Sequence, residues 1–219
     1  MSVVPNDIIT KFDAFPVASS GSIPSINSIP GDIRPAGRIH EGIDISDKIG
    51  TRIVSVLPGT VYSVTTNKNS DGGLQVVVKH IKKRSGTVGG FEFDVAARDD
   101  IYWAMYSHLD SISVTAGQVL TATQEIGRMG NTGISSTGVH LHFELWWGGR
   151  IGNTYSFEER RSKNTLITNL YQIVVNTAQD LEIRYNDRIG SRDTIPVDTP
   201  IEQFRPNEAY ITPYITTKY

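Results

Sequence analysis

Two short stretches decide the fold: residues 39–46, IHEGIDIS, and residues 140–147, HLHFELWW. In each, residue types alternate with a period of two, the repeat of a β-strand whose successive side chains point to opposite faces. In the first, His40, Gly42 and Asp44 share one face. Ile39, Glu41, Ile43 and Ile45 share the other, which is mainly apolar and is expected to bury. Gly42 leaves a gap between an imidazole and a carboxylate, with room for an ion. A helix would also bring His40 and Asp44 together at i and i+4, but Gly42 and the β-branched isoleucines disfavour one. In the second stretch His140, His142 and Glu144 lie on one face, and Leu141, Phe143 and Leu145 on the other. Two imidazoles about 7 Å apart along a strand can share a pocket, one binding a metal and the other serving the chemistry. An HxH pair alone is most simply a half-exposed strand with two surface histidines. Combined with HxGxD it favours a metal site.

Working outward, further short runs rich in Val, Ile, Thr and aromatics follow: RIVSVL, GTVYSVTT, LQVVVKHI, FEFDV and IYWAMYSHL. Pro-Gly, Asp-Gly-Gly and Gly-Gly punctuate them. This texture predicts a mostly β fold, an antiparallel sheet with few short helices. Residues 1–38 read as an N-terminal segment wrapping the domain. Their 17–37 portion, with close-set Pro, Gly and Ser, is expected to be irregular, neither helix nor central strand. Residues 39–147 form the expected core. After Gly148 the pattern shifts, and 148–193 reads as irregular or partly helical: Leu166, Leu170, Ile173 and Val174 fall near helical spacing. Residues 194–219, with four prolines, read as an extended tail.

Composition narrows the chemistry. A formal net charge of −2 over 219 residues offers no global positive field for nucleic acid. The basic run 79–84, KHIKKR, reads as a solvated hairpin turn. With no cysteine, a tightly held transition metal must use His with Asp or Glu. No apolar run of about 18 residues occurs, so no membrane insertion is expected, and the N-terminus lacks the basic and apolar regions of a secretory signal.

HEGIDIS, then YSHLDSISVTAGQVLTATQEIGRMGNTG, then STGVHLHFEL, resemble the lysostaphin/LytM family of zinc endopeptidases across residues 40–145. The resemblance implies that one zinc ion is held by His40, Asp44 and His142, leaving a fourth position for water, as catalytic zinc requires. It implies that His140 is the general base and that His108, in YSHL, stabilises the oxyanion or positions the water. It implies a peptidoglycan peptide as substrate. His80 has no role in this scheme and reads as structural, and Glu144 reads as a partner orienting a histidine or as a residue of the strand surface. The stretch from Val78 to Tyr102 is longer than a minimal member needs and implies an enlarged hairpin, and TIPVDTPIEQF (194–204) resembles the segment that closes the family's domain, which implies that 148–193 is an insertion and that 194–219 holds the closing segment and tail. The resemblance and the N-terminus together predict an extracellular or virion-associated protein, with phage tail proteins as further partners. The alternatives are a non-catalytic module of a phage tail and a cupin-type metal protein, which needs a Glu further beyond the second His.

Overall fold

A computed structural model describes residues 9–34, 37–83, 85–88, 91–94, 99–179, 181–186 and 192–195. The strands are β1 Val17–Ala18, β2 Ser25–Ser28, β3 Ile43–Ser46, β4 Arg52–Val54, β5 Gly59–Thr65, β6 Leu74–Lys82, β7 Ser85–Val88, β8 Phe91–Asp94, β9 Asp100–Ile112, β10 Val119–Leu120, β11 Glu125–Met129, β12 Leu141–Arg150, β13 Asn153–Thr154, β14 Ile183–Asn186 and β15 Arg192–Ile195; α1 is Leu170–Thr177. The fold is mostly β, as the alternating runs predict. Thirteen strands join in one sheet, and β7 and β8 form a separate hairpin within the long β6–β9 connection.

The organising strand is β9, thirteen residues long. One edge pairs antiparallel with β6, from Lys82 opposite Asp100 to Leu74 opposite Leu109. The other edge carries β12 as far as Ser107, opposite His142, and then β11 from Leu109 onward. The partner changes at His108. This residue has φ of +64°, a conformation that bends and bulges a strand and that a non-glycine residue adopts only when its surroundings hold it there.

One sheet face builds the main core. Tyr106, Ala104, Val76, Val78, Leu141, Phe143, Leu145, Ile43 and Ile45 are all fully buried there. Tyr106 and Phe143 meet with ring centroids 5.0 Å apart, and Phe12 meets Phe143 edge-on at 5.8 Å. Burying side chains of this size contributes roughly 1.5–3 kcal/mol each, which fixes the register of the strands that carry the polar residues on the opposite face.

Three local expectations are corrected. Ser25–Ser28, within the proline-rich approach, is an internal strand, antiparallel to β3 on one side and parallel to β14 on the other. Pro24 and Pro30 lie outside it, and Ile26 alternates inward to full burial. Ile39 lies outside β3 and is 42% exposed, because residues 37–40 pair back against residues 31–34 through the Ile33–Ile39 bridge. Leu166 does not join the helix. It bridges to Trp146 in an extended segment, and α1 begins at Leu170. Among the described residues no helix is long and apolar enough to cross a membrane. Of the closing segment, Thr194 and Ile195 end β15; residues 196–219 lie outside the described residues.

Candidate metal centre

The structure brings His40, Asp44 and His142 together, one ligand atom of each within 4.8 Å of the others. Asp44 of β3 stands directly opposite His142 of β12 in the ladder. The neighbouring residues on both strands point into the core, so strand pairing alone makes the two polar side chains meet. His40 reaches the same point from outside the strand. Its backbone N–H donates to Asp32 O at 2.8 Å, and its own carbonyl accepts from Gly31 N–H at 2.8 Å.

Hydrogen bonds to the far side of each ring decide which nitrogen faces the centre. The His40 Nδ1–H donates to Ile29 O at 3.0 Å, leaving Nε2 aimed at Asp44 Oδ1 at 3.1 Å and at His142 Nδ1 at 3.0 Å. The His142 Nε2–H donates to Glu144 Oε1 at 2.9 Å, and its Nδ1 lies 2.9 Å from Asp44 Oδ1. Two imidazole lone pairs and a carboxylate oxygen thus converge on one point. Three acceptors in contact require a cation between them, a proton or a metal ion. A nitrogen, oxygen, nitrogen set backed by a carboxylate and a carbonyl suits zinc.

Gly42 does not leave space for an ion, as its place between the two ligands suggests. A Cβ there would lie 2.7 Å from His142 Cε1 and 2.7 Å from Phe143 O. The missing side chain admits the imidazole of His142 instead.

The other two histidines stand beside this cluster. The His140 Nδ1–H donates to Gly138 O at 2.8 Å, and its Nε2 is 3.7 Å from Asp44 Oδ1. His108 is turned to the same side by its positive φ. Its backbone N–H donates to Gly72 O at 2.8 Å and its Nδ1–H to Thr132 O at 2.8 Å. The His108 ring centroid is 4.7 Å from that of His140 and 5.8 Å from that of His142. The bulge places His108 beside Ser107 on the polar face while Tyr106 and Leu109 both stay in the core.

Burial, followed by the neighbouring His140, pushes His108 down to about 4. Burial likewise lowers His140 against the pull of Asp44. Both are neutral imidazoles at neutral pH, with lone pairs available as bases. His142 moves the opposite way. Burial opposes its charge, but Asp44 and Glu144 on its two nitrogens outweigh burial and raise it to about 10. Burial raises the Asp44 carboxyl, yet hydrogen bonds from His142 and His40 hold it well below the ordinary carboxylate range. Without a metal the cluster keeps a proton at its centre, and metal uptake must release it.

Arg34 escaped the reading of the sequence. Its guanidinium donates to Asp44 Oδ2, leaving Oδ1 for the two imidazoles. Nothing in RPAGR marks it, because the contact depends on how residues 37–40 pair back against residues 31–34. His80 sits apart from the centre, fully buried, with its Nδ1–H donating to Pro58 O at 3.0 Å.

Residues 38–156 match Peptidase family M23, and the chain belongs to that family. It is 33% identical over 145 residues to the peptidoglycan DD-endopeptidase ShyA of Vibrio cholerae, covering 65% of this chain and 29% of that protein. It is 30% identical over 122 residues to the murein hydrolase activator NlpD of Escherichia coli, covering 56% and 27% of the two. The crystal structure of a zinc containing peptidase from Vibrio cholerae is 30% identical, covers 64% of this chain and 37% of its own, and superposes with a TM-score of 0.47. The chain spans under a third of the length of the first curated relatives it matches.

Proposed function

We propose that this chain is a zinc-dependent endopeptidase that hydrolyses peptide bonds in the stem or cross-bridge peptides of bacterial cell-wall peptidoglycan. One observation carries the reading: three metal-ligating atoms converge beside two neutral, lone-pair-bearing histidines. The Vibrio cholerae DD-endopeptidase among its relatives supports the substrate class, and the clustered His40, Asp44 and His142 support the metal.

His40, Asp44 and His142 would hold the zinc through Nε2, Oδ1 and Nδ1. When bound, zinc supplies Lewis acidity, polarising the carbonyl to be attacked and making water a stronger acid. His140 then acts as the general base. Its Nδ1–H is fixed on Gly138 O, so Nε2 can take a proton from the attacking water and return it to the leaving amine nitrogen. His108 has its Nδ1–H committed to Thr132 O. Its neutral Nε2 can only accept, which assigns it to positioning the water and not to donating to an oxyanion. Arg34 holds Asp44 to a single inward oxygen.

His142→Ala in the full chain tests the reading. Zinc content measured by elemental analysis should fall to background, and release of peptide termini from purified walls should become undetectable. Retained hydrolysis without zinc overturns the mechanism. A second reading, a non-catalytic partner of other wall enzymes, draws on the murein hydrolase activators among the relatives. Zinc bound by the wild type with no new termini on any wall chemotype would favour it. The proposed substrate places the protein outside the cell, either free or on a phage tail tip beside other tail proteins, and its presence in purified virions distinguishes the two.

A further inference from the structure

The sheet face that carries His140 and His142 continues along β12 to Glu144 and Trp146. There it is covered by the chain's own residues 156–167. Past Phe143 the edge of β12 is no longer paired with β3. Residues 165–167 take its place: Trp147 N–H donates to Thr165 O at 2.8 Å, and Ile167 N–H to Leu145 O at 3.0 Å. Leu166 closes over Trp103, Met105 and Trp146 in a second core cluster, with Phe157 packed against it.

Arg160 is the charged group of this arm. Its guanidinium lies 3.6 Å from the Phe157 ring centroid and 5.3 Å from that of Trp146, and Nη1 donates to Phe157 O at 2.9 Å. Glu144 is 2% exposed and has two oxygens to satisfy. Trp146 Nε1–H donates to Oε2 at 2.7 Å and His142 Nε2–H to Oε1 at 2.9 Å. A carboxylate so deeply buried keeps one orientation only while each oxygen has its donor.

We propose that residues 156–167 are a supporting arm of the metal centre: Arg160 packs on the ring of Trp146, and Trp146 is a positioning residue that fixes the carboxylate of Glu144, and through it the ring of His142 with Nδ1 toward the metal. This rests on the zinc reading above. It gives the segment after the core a role in the chemistry, although none of its residues reaches the centre. Outer-shell partners of ligating histidines typically change metal affinity 10–100-fold.

The test uses the full chain and zinc itself. Zinc affinity is measured by competition with a chromophoric chelator, and the ligand field is read from the visible absorption of the cobalt(II)-substituted protein. Trp146→Phe keeps the ring and removes only the N–H. It should weaken zinc binding about tenfold and alter the cobalt spectrum. Arg160→Ala should weaken it about 10–100-fold, and Arg160→Lys should recover part of the loss. Arg161→Ala is the control. Arg161 pairs with Glu41 at 2.6 Å, but its side chain is 61% exposed, so its loss should change affinity less than twofold. Unchanged affinity and spectrum in Trp146→Phe overturn the arm even if Arg160→Ala does not fold. A wild-type chain that takes up no zinc overturns the metal reading and the arm with it. Zinc bound equally by wild type and variants overturns the arm alone.

Discussion

The metal centre and the pocket of His80 are built from the same parts and end differently. In both, a buried or half-buried histidine has its Nδ1–H tied to a backbone carbonyl: Ile29 for His40, Thr132 for His108, Gly138 for His140 and Pro58 for His80. In both, a glycine on the adjoining chain makes room for an imidazole, Gly42 for His142 and Gly59 for His80. The difference lies at the other ring nitrogen. Nε2 of His40 faces a carboxylate and a second imidazole, and Nε2 of His140 lies beside the same carboxylate. Nε2 of His80 is buried and has no hydrogen-bond partner among the described residues. A carbonyl on Nδ1 fixes a tautomer and aims a lone pair; chemistry follows only where that lone pair meets a carboxylate in a space open to substrate.

The comparison breaks most sharply at His140. His140→Ala should retain zinc but lower kcat on wall peptides by roughly 10²–10⁴, the range for loss of a positioned general base. His80→Leu should leave both unchanged. In the wild type, the acid limb of kcat/KM should lie below pH 6.5, since burial lowers His140 and His108 and each must be neutral to accept a proton. Loss of zinc from His140→Ala would move this residue from base to ligand and undo the division drawn here.

The two glycines sharpen it further. A Cβ at Gly42 would collide with the His142 ring and Phe143 O, both at 2.7 Å; one at Gly59 would meet Lys79 O at 2.5 Å and His80 Nδ1 at 2.6 Å. Either alanine should cost about 2–3 kcal/mol of stability by chemical denaturation, as over-packing does. Only Gly42→Ala displaces a ligand, so only it should weaken zinc binding, by tenfold or more. Equal loss of zinc in Gly59→Ala would show that the two pockets are not independent.

How much of this was legible follows from where each side chain gets its direction. HLHFEL could be read directly, because Leu141, Phe143 and Leu145 are all fully buried on one face and the opposite face had to carry His142 and Glu144. HEGID was legible for Asp44 but only by accident for His40, which lies outside β3 and is aimed by Asp32 and Ile29. Strand periodicity therefore placed Ile39 on a buried face it does not occupy. His108 has no periodic signal at all, since a bulge is a break in the pattern, and only the family resemblance of YSHL singled it out. Arg34, Arg160 and Trp146 were invisible as site residues. Their contacts join segments that meet only in the folded chain, and a basic or aromatic residue carries no mark of what it will touch. That His80 stands apart while the other four histidines cluster is likewise a fact about surroundings.

The smallest expected effect isolates His80 from the centre by its pH dependence. Burial lowers His80 to about 4, partly offset by the Pro58 carbonyl, whereas in the unfolded chain it titrates near 6.5. Between these values the unfolded state binds the proton and the folded state does not, so stability rises with pH across the window. The neutral imidazole thus costs nothing above pH 6.5. As pH falls toward 4, it removes stability by an amount on the order of 2 kcal/mol at pH 5. The metal-free centre adds its own dependence: His108 and His140, lowered by burial, act in the same sense as His80, whereas His142, raised to about 10, contributes most below pH 6.5 and loses its contribution as pH rises through 10. Subtracting the urea-unfolding curves of His80→Leu from those of the wild type cancels the centre's share. The difference should be flat above pH 6.5 and grow in favour of the variant between pH 6.5 and 4. A flat difference throughout would mean that His80 exchanges its proton in the fold as freely as outside it, and that the carbonyl on Nδ1 does more to hold the charge than burial does to expel it.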